Sequence, residues 1–256
     1  MIVLRHQRGR GTLAARKGKI DPIKRPPNRL LANLAASDFD LVGPHIRDLE
    51  LEHSVVLAVA GDQLVDAYFP HSGIISLVVR LADGDTTEIA MIGRDSVFGA
   101  SAALVGPNAL TTAIVASPGM CSALPIRWLH AAADQSKTFR ITLIRHEQAI
   151  FVQAQQSAGC MASHSALARL ARWLLRARDA TGSDELLFTQ EFLGQMLGVQ
   201  RNAVSSVAGM LKEKGLIKFS RAQIRIEDAT GLKLLACECY ETVKGELEQL
   251  KRGKLH

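Results

Sequence analysis

The stretch TQEFLGQMLGVQRNAVSSVAGML, Thr189 to Leu211, restricts the fold of this 256-residue chain more than any other segment. Thr189 reads as a helix N-cap, and Glu191 stands in the first turn, where the partial positive charge of the helix end favours an anion. Leu193 and Leu197 share one face. Gly194 is small where a second helix must cross closely, and Gly198 allows a turn geometry that most residues resist. Val199 anchors the turn, and Val204, Val207 and Leu211 repeat at helical spacing to bury a second helix. What remains on that helix is Gln200, Arg201, Asn202, Ser205 and Ser206, all hydrogen-bonding and gathered toward its N-terminal half. That is the arrangement of a helix-turn-helix, whose second helix lies in the DNA major groove with its early residues at base edges. Arg can occupy both major-groove acceptors of guanine, and Asn or Gln can make the paired contact to adenine.

The next residues, GLIKFSRAQIRIED, predict strands over Leu216–Phe219 and Gln223–Ile226 joined by a tight turn at Ser220–Arg221. Such a two-stranded wing puts Arg221 at its tip, and Lys218 and Arg221 become phosphate-contact candidates. Thr189 joins them as a further DNA-facing candidate. From Thr189 to Ile226 six Lys/Arg stand against two acids, so the expected DNA face is basic. The chain's formal charge of +6 has another origin. Residues 1–27 hold eight Lys/Arg and one acid, which leaves 23 basic and 24 acidic residues in the body. That tail, rich in Gly, Pro and Arg, reads as a basic disordered segment able to touch phosphates without specificity.

Between Asn28 and Leu49 the pattern suggests short helices, with Ser37 and Asp38 as cap candidates. Then Leu51–Ala60, Ala67–Phe69, Gly73–Leu81, Thr87–Ile92, Thr111–Ala116 and Met120–Pro125 follow as short β-rich runs divided by turn signals, with Asp83-Gly84 marking a hairpin. Many short strands at that spacing indicate an antiparallel sandwich, barrel or roll. A long helix from Ser136 or Lys137 to about Cys160 comes next. Phe139, Leu143, His146, Ile150, Gln153, Ser157 and Cys160 form a 4-3 seam on it, while Ile141, Ile144, Phe151 and Gln155 lie on another side. A helix apolar on two sides has two surfaces to meet: its own domain, and a partner's equivalent helix. Ala166–Ala180 reads as an amphipathic helix with Arg169, Arg172 and Arg176 outward. A last helix through Leu232, Leu235, Cys239, Val243 and Leu247 packs on the helical unit.

Several classes are excluded or disfavoured. No run approaches the roughly 18 apolar residues of a membrane span, and no apolar core follows the N-terminal basic residues, so a cytoplasmic protein is expected. Cys121, Cys160, Cys237 and Cys239 form no CxxC pair, and a helical setting for Cys237–Cys239 would point the two thiols to different faces. They read as small buried side chains; neither a metal nor another cofactor is expected. No nucleophile elbow, P-loop, HExxH or deaminase signature is present, so the chain does not read as an enzyme.

Taken together, the order of β-roll, long helix and winged helix resembles the Crp/Fnr superfamily of bacterial transcription regulators. The likeness runs from about Asn28 to Leu250 and rests on GDQLVDAYFPHSGIISLVV (Gly61–Val79), GRDSVFG (Gly93–Gly99) and FLGQMLGVQRNAVSSVAGMLKEKGLI (Phe192–Ile217). It implies an α+β fold: an N-terminal antiparallel β-roll of the cyclic-nucleotide-binding kind over 28–133, a connecting dimerisation helix over 134–161, and a C-terminal winged helix-turn-helix over 162–256. It further implies a homodimer on near-palindromic double-stranded DNA, with RNA polymerase and a small-molecule effector as additional partners. The family's cyclic-nucleotide pocket pairs Gly-Glu for the ribose with Arg-Ser/Thr for the phosphate. Here the corresponding places read Gly99, Ala100, Ser101 and Thr111, Thr112, Ala113. These are the effector-pocket candidates, yet they lack both the carboxylate and the arginine, so cyclic AMP is not expected to bind. The lack of any Cys before Cys121 argues against the family's N-terminal iron–sulfur cluster. His53 and His71 read as surface side chains in preference to haem ligands, and Cys160 as a buried side chain in preference to an inter-subunit disulfide. One reading of a different class remains open, a ligand-binding regulatory module that acts through protein contacts; the wing and Arg201 argue against it.

Overall fold

The computed structural model describes residues 25–82, 84–220 and 222–252. Residues 1–24 of the basic tail, the hairpin residue Asp83 and Arg221 therefore lie outside the described residues; the end of the tail is not disordered, since Arg25 Nη1 donates to the carbonyls of Ala32 and Leu34. The chain is α+β, in two units joined by a long helix.

Two short helices open it, α1 (Arg29–Ala32) and α2 (Ala36–Val42). Asn28 starts α1: its Oδ1 accepts from the backbone N–H groups of Leu30 and Leu31, while its buried Nδ2 donates to the carbonyls of Pro70 and Ser96. The expected caps Ser37 and Asp38 do not cap. Both lie inside α2, and Asp38 is buried, accepting hydrogen bonds from Ser136 and Thr138. The strands β1 (Arg47–Leu51), β2 (Val56–Ala58), β3 (Asp66–Pro70), β4 (Ile74–Arg80) and β5 (Thr86–Ile92) follow. Helix α3 (Ala100–Leu104) then leads to β6 (Thr112–Ser117) and β7 (Gly119–Pro125). All pair antiparallel, in sheets ordered β1-β7-β3 and β2-β6-β4-β5. Strand β1 is a correction, since its segment was assigned to the short helices. The alternation of Asp48, Leu49, Glu50 and Leu51 is too short to stand out from the flanking helices, and the strand is an edge that pairs with β7.

Strand β4 explains the layering. Ile75 and Leu77 belong to the core between the two sheets, whereas Ile74 and Val78 belong to a second core beneath the helical unit. Buried on both faces, it reads as a continuous apolar run. Helix α4 (Ile126–Gln135) closes the roll, and α5 (Lys137–Ser163) begins at Ser136, whose hydroxyl accepts from Phe139 N. The proposed 4-3 seam on α5 is real but faces the chain itself: Phe139 and Leu143 enter the roll core and Gln153 meets β5. Its polar members are satisfied there. His146 Nε2 accepts from Val97 N and sits 2.6 Å from Ser96 Oγ, and Gln153 Oε1 accepts from Met91 N. Ile144 and Phe151, on the other side, remain exposed.

Beyond α5 come α6 (Ala166–Thr181), β8 (Glu185–Leu187), α7 (Gln190–Leu197), α8 (Arg201–Glu213), β9 (Ile217–Ser220), β10 (Gln223–Ile226), α9 (Ala229–Leu235) and α10 (Cys239–Arg252). Three expectations change here. The wing has three strands, β8-β10-β9, because β8 pairs with β10 on the side away from β9. The expected single last helix is two, broken at Ala236-Cys237-Glu238, and α10 packs chiefly along α5. Finally, Arg172 does not face outward: it is buried, because α6 is covered by β4 and β5 as well as by its own unit.

Candidate nucleic-acid interface

The two short helices form as their sequence requires. Thr189 Oγ1 accepts from Phe192 N at 3.0 Å, and Gly198 ends α7 with φ +60°. A Cβ at Gly194 would fall 2.9 Å from the carbonyl oxygen of Val199, so the close passage of the turn depends on its absence. Val204, Ala208 and Leu211 bury the inner face of α8, and full burial of a Val or Leu contributes roughly 1.5–3 kcal/mol.

The outer face of α8 is left to solvent. Gln200, Arg201, Asn202, Ser205 and Ser206 are all exposed, as are Thr189 and Lys218. Their positions are those of a helix offering its first turn and a half outward, the part that reaches base edges. Gln200 is the extended residue just before α8 and makes no cap with its side chain. Ser205 is less available than its neighbours: its hydroxyl donates to Gln190 Oε1 at 2.8 Å, tying α8 to α7. Lys218, on β9, is held 3.0 Å from Glu227, which also lies 3.3 Å from Arg225. Glu227 thus partly neutralises the wing, a feature unseen in the sequence because the acid follows the strands it faces.

The helical unit from α6 to α9 rests on the roll. Trp173, Phe188, Phe192 and Met196 pack with Ile74, Val78, Met91 and Ile114 from the β4–β5–β6 face. At the centre of this joint Glu88 of β5 is fully buried. It accepts from Trp173 Nε1 at 2.7 Å and from Ser76 Oγ, and Arg172 and Arg176 lie close by. Burial, opposed by those hydrogen bonds and arginines, raises its pKa from 4.5 to about 7. Arg176 also reaches Gln153 of α5, so roll, long helix and helical unit share one polar cluster.

A cavity of about 200 Å³ lies between the roll and α5. Among the sensor candidates Gly99, Ser101 and Thr111 line it; Ala100 and Thr112 do not. Ala100 is buried at the start of α3, and Thr112 Oγ1 accepts from Ala60 N. The wall is mostly apolar, and its one charged residue is the acid Glu147. A larger cavity, about 470 Å³, opens where α1, α2, α5 and α10 meet, with Arg29, Arg145 and Arg176 in its wall. None of the nominated effector residues is there.

The cysteines are arranged otherwise than expected. Cys237 precedes α10 and Cys239 begins it, so a helical spacing does not separate their thiols. Both turn toward Cys160, placing three of the four cysteines in one buried cluster with His164 beside it. Cys121 stands alone in the roll, and burial, with Asp48 nearby, pushes its thiol up to about 12.

Residues 168–235 match the family model described as the Crp-like helix-turn-helix domain. No curated protein matches the sequence. Several solved structures share the fold at low identity. FixK2 from Bradyrhizobium japonicum is 18% identical with a TM-score of 0.65, over 75% of this chain and 98% of that one. TTHA1359, a CRP/FNR family transcriptional regulator from Thermus thermophilus, is 22% identical with a TM-score of 0.58, over 74% and 98%. The c-di-GMP responsive global regulator CLP from Xanthomonas campestris is 12% identical with a TM-score of 0.60, over 76% and 100%. The chain therefore has the fold of Crp/Fnr-type transcription regulators and carries a Crp-like helix-turn-helix domain. Among the described residues no helix is long and apolar enough to cross a membrane.

Proposed function

We propose that this chain is a sequence-specific, DNA-binding transcription regulator of the Crp/Fnr type, cytoplasmic and without enzymatic activity. One observation carries the reading: an eight-residue helix and a left-handed glycine hold α8 so that Gln200, Arg201, Asn202 and Ser206 face solvent, beside a three-stranded wing. Gln200, Arg201 and Asn202 supply the paired donors and acceptors that separate guanine and adenine in the major groove. Thr189, Lys218 and Arg221 take phosphate, and Ser205 braces the two helices while presenting its edge to the DNA.

The regulator acts as a homodimer. The exposed strip of α5 that holds Ile144 and Phe151 supplies the interface, since its opposite side is already filled by the chain's own core. Two copies of α8 then enter successive major grooves roughly 34 Å apart on a near-palindromic site. Contact with RNA polymerase follows from the same role. The effector is not cyclic AMP: the roll cavity offers a buried phosphate no cation, and Glu147 repels it. Charged wall groups belong instead to the larger cavity at α1, α2, α5 and α10, which suits a polar effector.

Duplex binding by the full chain at rising salt, with heparin as competitor, tests the reading. A selected duplex should survive heparin and lose affinity with a steep log–log salt slope. Equal displacement of every duplex by heparin would refute it.

A further inference from the structure

Outside the reading unit and its cavities, one group of side chains has a chemistry of its own. Cys160 lies near the end of α5, and His164 is the extended residue that terminates it. Cys237 falls in the break between α9 and α10, and Cys239 opens α10. We propose that these four residues bind a divalent metal ion of the zinc class in a closed Cys3His site that fastens α10 to the end of α5.

Geometry supports a four-coordinate ion. The ligand atoms all lie within 4.8 Å of one another. Cys160 Sγ is 3.5 Å from Cys237 Sγ, and Cys239 Sγ is 3.5 Å from His164 Nδ1. A tetrahedron with Zn–S of about 2.3 Å and Zn–N of about 2.0–2.1 Å has edges of about 3.6–3.8 Å. A disulfide between Cys160 and Cys237 would need the sulfurs at about 2.05 Å, and would leave Cys239 and His164 without a role.

The neighbours are those of a metal site. His164 Nε2 is 3.2 Å from Glu238 Oε1, so the carboxylate fixes the tautomer that leaves Nδ1 as the donor atom. Gln156 Nε2 donates to Cys239 Sγ at 3.1 Å, as suits a thiolate. Three thiolates on a divalent ion leave one net negative charge. Arg172 is buried close to Cys160, and among the described residues its Nε has no hydrogen-bond partner. It supplies the compensating cation. Apolar packing of small thiols would call for none of these polar groups. All three cysteines are buried, and among the described residues no fifth His, Cys, Asp or Glu joins the group, which indicates a structural ion and not a catalytic one.

Binding exchanges thiol protons for the ion, three at most, with no change of oxidation state, and so weakens as pH falls. Cys160 and His164 stand where α5 leads into α6, and Cys237 and Cys239 hold the start of α10 against that point. Loading the site therefore stiffens that connection.

The test is titration of the reduced, untagged full chain with Co(II), followed by Zn(II). One equivalent of Co(II) should give the intense visible bands of tetrahedral thiolate coordination, and one equivalent of Zn(II) should erase them. X-ray absorption of the zinc form should show three sulfurs and one nitrogen. Cys239→Ser and His164→Ala should abolish the bands, whereas Cys121→Ser should keep them. Glu238→Gln retains all four ligands and should weaken the ion by about 10–100-fold. Wild-type protein that gives no thiolate-bound Co(II) overturns the proposal, as do bands that survive Cys239→Ser and His164→Ala. So does a Cys160–Cys237 disulfide that persists when the chain is prepared without air.

Discussion

In the helix-turn-helix the base-edge candidates come from one run of seven residues, Gln200 to Ser206, at the start of α8. In the roll, the cavity wall draws on residues from Leu64 to Ala154 and is mostly apolar. The contrast follows from what each must recognise. A helix that reads base edges works at the surface, so its side chains need only be presented, and local spacing suffices to present them. A pocket that holds a charged effector must carry buried partners for that charge, contributed by strands distant in sequence. Among the described residues the roll cavity has no cation in its wall and one acid, Glu147, while the first turns of α8 present a polar face to solvent. The two halves therefore need not share a ligand chemistry to share a fold.

The contrast can be broken or sharpened in four ways. Ile144→Asp with Phe151→Asp puts two charges on the exposed side of α5. Loss of the dimer should reduce affinity for a two-half-site duplex by about 10²–10⁴-fold while a single half-site is unaffected, read by sedimentation and gel shift. Unchanged dimer mass would place the interface elsewhere.

Glu88→Gln tests the joint between the two regions. A carboxyl whose folded pKa is about 7, against 4.5 unfolded, contributes its stability below about pH 4.5 and loses it as pH rises through about 7. The wild type should weaken over that window. Glutamine should flatten the curve and add on the order of 3 kcal/mol at pH 8, measured by urea unfolding at several pH values. Parallel curves for the two proteins would show that Glu88 titrates normally.

Glu227→Gln releases Lys218 and Arg225 to the DNA. Affinity for all duplexes should rise by a few tenths to about 1 kcal/mol and the salt slope should steepen, with no change in sequence preference. A changed preference would place the wing at bases. The smallest effect is none at all: cyclic AMP titrated calorimetrically should give no binding heat, and micromolar affinity would mean that the roll supplies a cation from some residue beyond its apparent wall.

The helix-turn-helix was legible because its constraints are local. Thr189 as cap, Gly194 at the crossing, Gly198 at the turn and the Val204–Leu211 stripe each act within a few residues. Most strands were legible for the same reason, but β1, a short edge strand, and β8, three residues whose pairing with β10 spans a long stretch of chain, were not. What escaped depends on contacts between distant segments. Arg172 looks solvent-facing on an amphipathic helix and is buried because a sheet covers that side. The break at Ala236–Glu238 contains neither Gly nor Pro, so one helix was read across it and Cys237 was given the wrong setting. Cys160 and Cys237 meet across 77 positions, a closeness no spacing rule encodes.

The most direct measurement is selection of bound sequences from random duplex DNA, carried out in parallel with the wild type and Arg201→Ala. Arg201 at a base edge predicts a near-palindrome with half-sites about one helical turn apart. The variant should lose about 1–3 kcal/mol at one position in each half-site and keep its preference elsewhere. No enriched sequence for the wild type, or a uniform loss on every duplex for the variant, would contradict a reading helix in the major groove.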